Sequence, residues 1–162
     1  MTVAEIMQKM LEYPPNTPHD IRHLMKVWGF ARTIGQLEGL DDETQRVLEI
    51  AAIVHDIACP LCREKYGHAD GKHQEQEGGP LAREFLRDAG LTSEQLDRVV
   101  YLVAHHHTLT GVDGIDYQIL LEADYIVNAD ESGYSRANIE NFAGKLCRTP
   151  SGGAMLRAIY DL

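Results

Sequence analysis

Residues 47–56 read VLEIAAIVHD. Apolar side chains fill every position from Val47 to Val54 except Glu49, and the run stops on two groups that bind protons and metals, His55 and Asp56. The stretch predicts a helix that starts after Asp41 and Asp42 and ends at His55-Asp56, with both terminal side chains pointing into a pocket that the helix closes from one side.

Outward from this helix the apolar spacing of three and four continues almost without alternating segments, which predicts an all-α fold. Upstream, a helix from Thr2 to Tyr13 carries Val3, Ile6, Met7, Met10 and Leu11 on one face, and Pro14, Pro15 and Pro18 stop it. A second begins near Asp20, read as its N-cap, and turns Leu24, Val27, Trp28, Ala31 and Ile34 inward before Gly39, with His23 bordering that face. Downstream, Ile57 to Lys72 reads as a loop containing Pro60, Gly67 and Gly71. A helix follows from Gln74 to Ala89, and another opens on the capping box Thr92-Ser93-Glu94-Gln95. In the latter, Val99, Val103 and His106 share one stripe, so His106 is the inward member of the triplet His105-His106-His107. A helix over Tyr117 to Ala129 faces inward with Ile119, Leu120, Ala123, Ile126 and Val127, and carries Asp124 beside them. One or two shorter helices follow, separated near Thr149 to Gly153.

The chain has 162 residues, 44% of them hydrophobic, enough for a single domain with its own core. Its net charge of −10 and lack of any Lys/Arg run argue against a nucleic-acid polymer as partner. No apolar stretch reaches the ~20 residues that cross a bilayer, and MTVAEIMQKML lacks the features of a signal peptide, so a cytoplasmic protein without membrane attachment is expected. Three cysteines, Cys59, Cys62 and Cys147, are too few for a disulfide scaffold. Cys59 and Cys62 followed by His68 and His73 have a spacing near that of a small zinc knuckle, but two loop cysteines without a role is the preferred reading. Trp28 and several tyrosines leave a homo-oligomer open.

The chemistry resides in His23, His55-Asp56, the triplet at 105–107 and Asp124. Imidazole nitrogens and carboxylate oxygens together suit divalent metals, and a carboxylate beside a histidine can bridge two ions. Asp124, inside EADYIVN and flanked by apolar residues, needs a partner if buried.

Five segments, HDIRHLMKVWGFARTIGQLEG, AAIVHDI, EGGPLAREFLRDAGL, VVYLVAHHHT and ILLEADYIVN, resemble in order and spacing the HD-domain superfamily of metal-dependent phosphohydrolases, over about Pro18 to Asn128. The resemblance implies a helical HD bundle spanning 1–162, with the motif-bearing core at about 18–128 and further helices over 135–162. It assigns His23, His55, Asp56 and Asp124 to one metal site and adds His106, with His73 as the other expected ligand of a second; Glu77 and His68 are the alternatives to His73. One divalent ion (Fe, Mn, Zn, Ni, Co or Mg) is expected and two are open. Such an ion lowers the pKa of bound water from 15.7 toward ~7 and polarises a phosphoryl oxygen, while Asp56 orients the nucleophile as the catalytic carboxylate.

The expected substrate is a nucleotide or another small phosphorylated metabolite. Arg22, Lys26, Arg63, Lys65 and Lys72 are the candidate cations to meet it. Two other classes stay in view: a di-iron oxygenase of the same superfamily, which needs the second metal, and a metal-stabilised nucleotide sensor without turnover.

Overall fold

The computed structural model describes residues 1–162 as nine helices without a strand. They are α1 (Val3–Leu11), α2 (Pro18–Leu37), α3 (Asp42–Val54), α4 (Cys59–Tyr66), α5 (Gly71–Phe85), α6 (Ser93–His105), α7 (Ile115–Glu131), α8 (Arg136–Lys145) and α9 (Pro150–Tyr160). No helix is long and apolar enough to cross a membrane.

The helix that decides the fold is its axis. Val47 to Val54 are buried without a break, because α3 packs against α1, α2, α6 and α7 at once. A helix apolar all round is stable only when surrounded in this way. Glu49, the polar exception, is buried with its carboxylate accepting from Trp28 Nε1, Arg32 Nη1 and Gln45 Nε2 at 3.1, 2.9 and 2.9 Å. Those bonds offset the cost of burying a carboxylate. One cluster of buried apolar side chains takes members from every helix except α4, so α8 and α9 share the core of α1–α7.

Helix starts follow local chemistry. Thr2, Thr17 and Thr92 each close a capping box with the residue three places on. Thr17, not Asp20, is therefore the N-cap of α2: Asp20 sits at the third helical position and its carboxylate accepts from the Thr17 backbone N–H at 2.9 Å. Pro18, read from sequence as a stop, is the first residue of α2, where its missing N–H has no intrahelical partner to lose.

The predicted loop over Ile57–Lys72 is replaced in part by α4, which places Pro60 in its first turn and ends on Gly67 in the left-handed conformation at φ 78°. Both residues that suggested a loop mark the ends of a short helix. α5 begins at Gly71 rather than Gln74, with Asp70 as N-cap, and ends at Phe85 rather than Ala89. Its Gly78 has a packing role: a Cβ there would lie 2.9 Å from Val103 Cγ1, so the glycine lets α5 lie close against α6.

Four elements deliver the chemistry to one place. His55 is the C-cap residue of α3 and His106 that of α6, while His23 sits in the second turn of α2 and Asp124 in the middle of α7.

Candidate metal centre

His23, His55, His106 and Asp124 are all buried, and Asp56, with its side chain 26% exposed, is the member open to solvent. The Nδ1 of each imidazole is engaged away from the centre. His55 donates to Ala52 O at 2.7 Å, His106 to Val103 O at 2.8 Å, and His23 to Glu131 Oε1 at 2.8 Å. A carbonyl only accepts, so Nδ1 of His55 and His106 carries the proton and, in the neutral ring, Nε2 is a bare lone pair. Glu131 imposes the same tautomer on His23.

The three Nε2 atoms converge on two carboxylates. His23 Nε2 lies 3.1 Å from Asp56 Oδ2, 3.3 Å from Asp124 Oδ1 and 3.2 Å from His55 Nε2. His55 Nε2 lies 3.5 Å from each of the same two oxygens. His106 Nε2 stands 3.2 Å from the other oxygen of Asp56, Oδ1. Lone pairs facing lone pairs and carboxylates in a buried site repel unless a positive charge sits among them, which is the condition a divalent cation satisfies.

The titration behaviour expresses the same demand. Burial works to lower the His23 imidazole, but the carboxylates of Asp124 and Asp56 outweigh it and hold it up at about 11. Burial likewise works to raise Asp56 and Asp124, yet the imidazoles hold both carboxyls below their usual range. His23, His55 and Asp124 form one group with ligand atoms within 4.8 Å of one another, and Asp56, His106 and His107 form a second. The two oxygens of Asp56 face the two groups separately.

His73 stands elsewhere. Its Nδ1 lies 2.7 Å from Asp70 Oδ1, and its ring stacks on Tyr66 with centroids 3.9 Å apart, beside His68. The side chain that α5 sends inward is the next one: Gln74 Oε1 accepts from His107 Nε2 at 2.7 Å and lies 3.3 Å from His106 Nε2. Glu77 is taken up by Lys65 and Tyr66. His105 turns away, donating to Tyr101 O and stacking on the Tyr101 ring. His107 faces the same cavity as His106; burial and the neighbouring His106 charge lower it to about 4.

Of the five cations singled out in the sequence, Arg63 is held by a bidentate pair to Asp20 at 3.0 and 2.7 Å, and Lys65 by Glu77 at 2.7 Å. Lys26 lies 3.9 Å from Glu131, whose carboxylate holds His23. Arg22 and Lys72 are exposed. Cys59 and Cys62 are buried, and burial pushes both thiols up, so neither offers a thiolate. No cysteine joins any of the clustered ligand groups.

A cavity of about 270 Å³ opens beside the centre, with His106, His107 and Asp124 on one side and side chains of α7 and α8 on the other. Sequence reasoning missed Gln74, Glu131 and this α8 wall. Gln74 and Glu131 carry a local signal only as polar residues at helix positions near apolar ones, which many surface residues share.

The crystal structure of a predicted HD superfamily hydrolase from an uncultured Thermotogales bacterium superposes with a TM-score of 0.69 at 22% sequence identity, covering 98% of this chain and 83% of that one. A search of curated proteins finds none that matches. The family model of the HD domain matches residues 20–130, a span that runs from the first turn of α2 to the end of α7 and contains His23, His55, Asp56, His106 and Asp124. The chain therefore belongs to the HD domain family.

Proposed function

We propose that the protein hydrolyses a phosphate ester of a small metabolite, with a divalent cation held by His23, His55, Asp56 and Asp124. The observation that carries this reading is the convergence of three Nε2 lone pairs on Asp56 and Asp124, beside a cavity wide enough for a small ligand. The cation, when bound, supplies Lewis-acid polarisation of a phosphoryl oxygen and a water acidic enough to attack at neutral pH.

The chain's own residues do the rest. Ala52 O, Val103 O and Glu131 hold the imidazoles in the tautomer that presents Nε2. Asp56, as the solvent-facing carboxylate, orients the attacking water and accepts its hydrogen bond. The α6 end and α7 wall keep the remaining donors dry, which strengthens every electrostatic contact among them. Lys26, joined to the centre through Glu131, is the cation best connected to it, and Arg22 stands one helical turn before it.

A dinuclear centre is supported by the placement of Asp56 between the two ligand groups. In that case His106, and His107 once its Nε2 is freed of the bond to Gln74 Oε1, rather than His73, would complete the second position with Asp56. A dinuclear iron centre would bring the oxygenase reading forward. Metal content per chain after purification without added metal, followed by phosphate release from phosphomonoesters with Mn²⁺, Co²⁺, Zn²⁺ and Fe²⁺, tests the proposal. Metal-dependent phosphate release that disappears in Asp56→Ala is the expected result. Two irons per chain with oxygen consumption and no phosphate release would replace the hydrolase reading.

A further inference from the structure

The metal chemistry accounts for one side of the 270 Å³ cavity and leaves the other unexplained. That side is made of Tyr125, Tyr134 and Phe142 with the amides of Asn138 and Asn141, and no Lys or Arg lines the cavity anywhere. The adjoining recess, which reaches Arg148 past Phe142 and Leu146, holds about 10 Å³, room for about one water and not for a phosphate. The aromatic side is ordered by its own contacts. Tyr125 stacks on Phe142 with centroids 3.6 Å apart and planes 3° from parallel, and the Tyr125 hydroxyl donates to Asn138 Oδ1. This fixes the Asn138 amide by its oxygen and leaves its NH₂ without a protein partner. Tyr134 stands 5.4 Å from Tyr125, tilted by 46°, at the solvent edge.

Flat, uncharged rings with polar edges are what such a surface recognises: nucleobases stack on aromatic side chains and pair their edges with Asn amides. A chain of phosphates is what it does not recognise: the cation held by His23, His55, Asp56 and Asp124 would meet one phosphate at the cavity's edge, and no Lys or Arg lines the cavity to meet a second or third, in a chain whose net charge is already −10. The volume lies just below the ~300 Å³ at the lower end of ligand pockets, which suits one nucleoside and little more. We infer that this cavity receives the nucleoside of the substrate, that Tyr134, Asn138 and Asn141 select it, and that the substrate is a nucleoside monophosphate rather than a polyphosphate. The phosphate half of this inference rests on the phosphoester reading above; the nucleoside half rests on the cavity.

Two measurements on the full chain separate the halves. Adenosine, guanosine, cytidine and uridine, without phosphate, are titrated into wild type, Tyr134→Ala and Asn141→Ala by NMR. Turnover is then compared between nucleoside monophosphates, the matching triphosphates and ribose 5-phosphate. Tyr134 and Asn141 both reach solvent, so neither variant removes a core side chain.

The expected result is binding of at least one nucleoside, weakened about tenfold in Tyr134→Ala, the size of a lost base–aromatic stack. A kcat/KM for the matching monophosphate at least about tenfold above that of its triphosphate is also expected, with a loss in Tyr134→Ala larger for the monophosphate than for ribose 5-phosphate. Nucleoside binding without cleavage of any phosphoester would support the cavity assignment and defeat the hydrolase reading. Phosphate release from ribose 5-phosphate and nucleotides alike, with no nucleoside binding and equal losses in Tyr134→Ala, would overturn the cavity assignment and leave the hydrolase standing.

Discussion

Replacing Glu131 tests whether the centre depends on a residue that holds no metal itself. Its two oxygens lie 2.8 and 3.2 Å from His23 Nδ1, the side chain is 12% exposed, and its further neighbours in an ion-pair geometry are Lys26 Nζ at 3.9 Å and the His19 ring at 4.0 Å. Carboxylates in this position fix the ring and raise its basicity, and losing one typically costs 10–100-fold in metal affinity, about 1.4–2.7 kcal/mol. Glu131→Ala should therefore weaken Mn²⁺ or Zn²⁺ binding by about that factor.

Glu131→Gln keeps an acceptor of the same reach but removes the charge. Since charge-assisted hydrogen bonds are about twice as strong as neutral ones, about half the free energy should be lost, or about 3–10-fold in affinity. Competition against a chromophoric chelator measures both, with circular dichroism confirming that the variants are folded. In a His23→Ala background the Glu131 effect should vanish, because the two act through one bond. Wild-type affinity in folded Glu131→Ala, or an undiminished Glu131 effect without His23, would refute the reasoning.

Other expectations follow from the same geometry. His106→Ala should lower metal content per chain more than His105→Ala, since His106 Nε2 faces Asp56 while His105 bonds to Tyr101 O; elemental analysis of the two variants decides it. Tyr117→Phe should cost about 1–3 kcal/mol in chemical denaturation, because the buried hydroxyl donates to Thr108 O at 2.6 Å and its loss leaves that acceptor without its donor, while His105 O keeps the bond from Thr108 N. Burial pushes the Tyr117 phenol up to about 12, so the folded state holds this proton more tightly than the unfolded chain does. Its contribution is intact below pH ~10 and is lost as pH rises from there through about 12, which stability curves of wild type and Tyr117→Phe should show by converging. Glu122→Gln should destabilise by about 2–3 kcal/mol in the same assay. The fully buried carboxylate accepts from Gln118 Nε2, Arg148 N, Thr149 N and Thr149 Oγ1, and an amide would turn a donor toward some of them.

The all-α fold and the His55-Asp56 pair were legible in the sequence because both are local properties. Eight buried residues in succession need no distant information to read as a buried helix, and the phase of Val99, Val103 and His106 places His106 on the inner face. Errors at this level were also local. Acidic residues favour both the cap and the third helical position, so the sequence alone reads Asp20 as a cap, and only the bonds with Thr17 distinguish the two. Pro60 and Gly67 signal chain reversal whether they bound a loop or a short helix such as α4.

What the tertiary structure decided is which polar side chains meet. His73 and Gln74 are neighbours in sequence, and the position of α5 against α6, set by the close approach at Gly78, sends Gln74 to His106 and His107 and leaves His73 with Asp70. Glu131 reaches His23 across 108 positions, and Tyr134 and Asn141 come to the centre only because α8 folds back beside α7. Helical periodicity constrains a residue to a face, but a bond between two helices depends on their crossing and depth of packing. Those are fixed by the whole core at once, so the chain could point to His23, His55, Asp56, His106 and Asp124 as candidates, while the displacement of His73 by Gln74, the bond from Glu131 and the cavity could not be read from it.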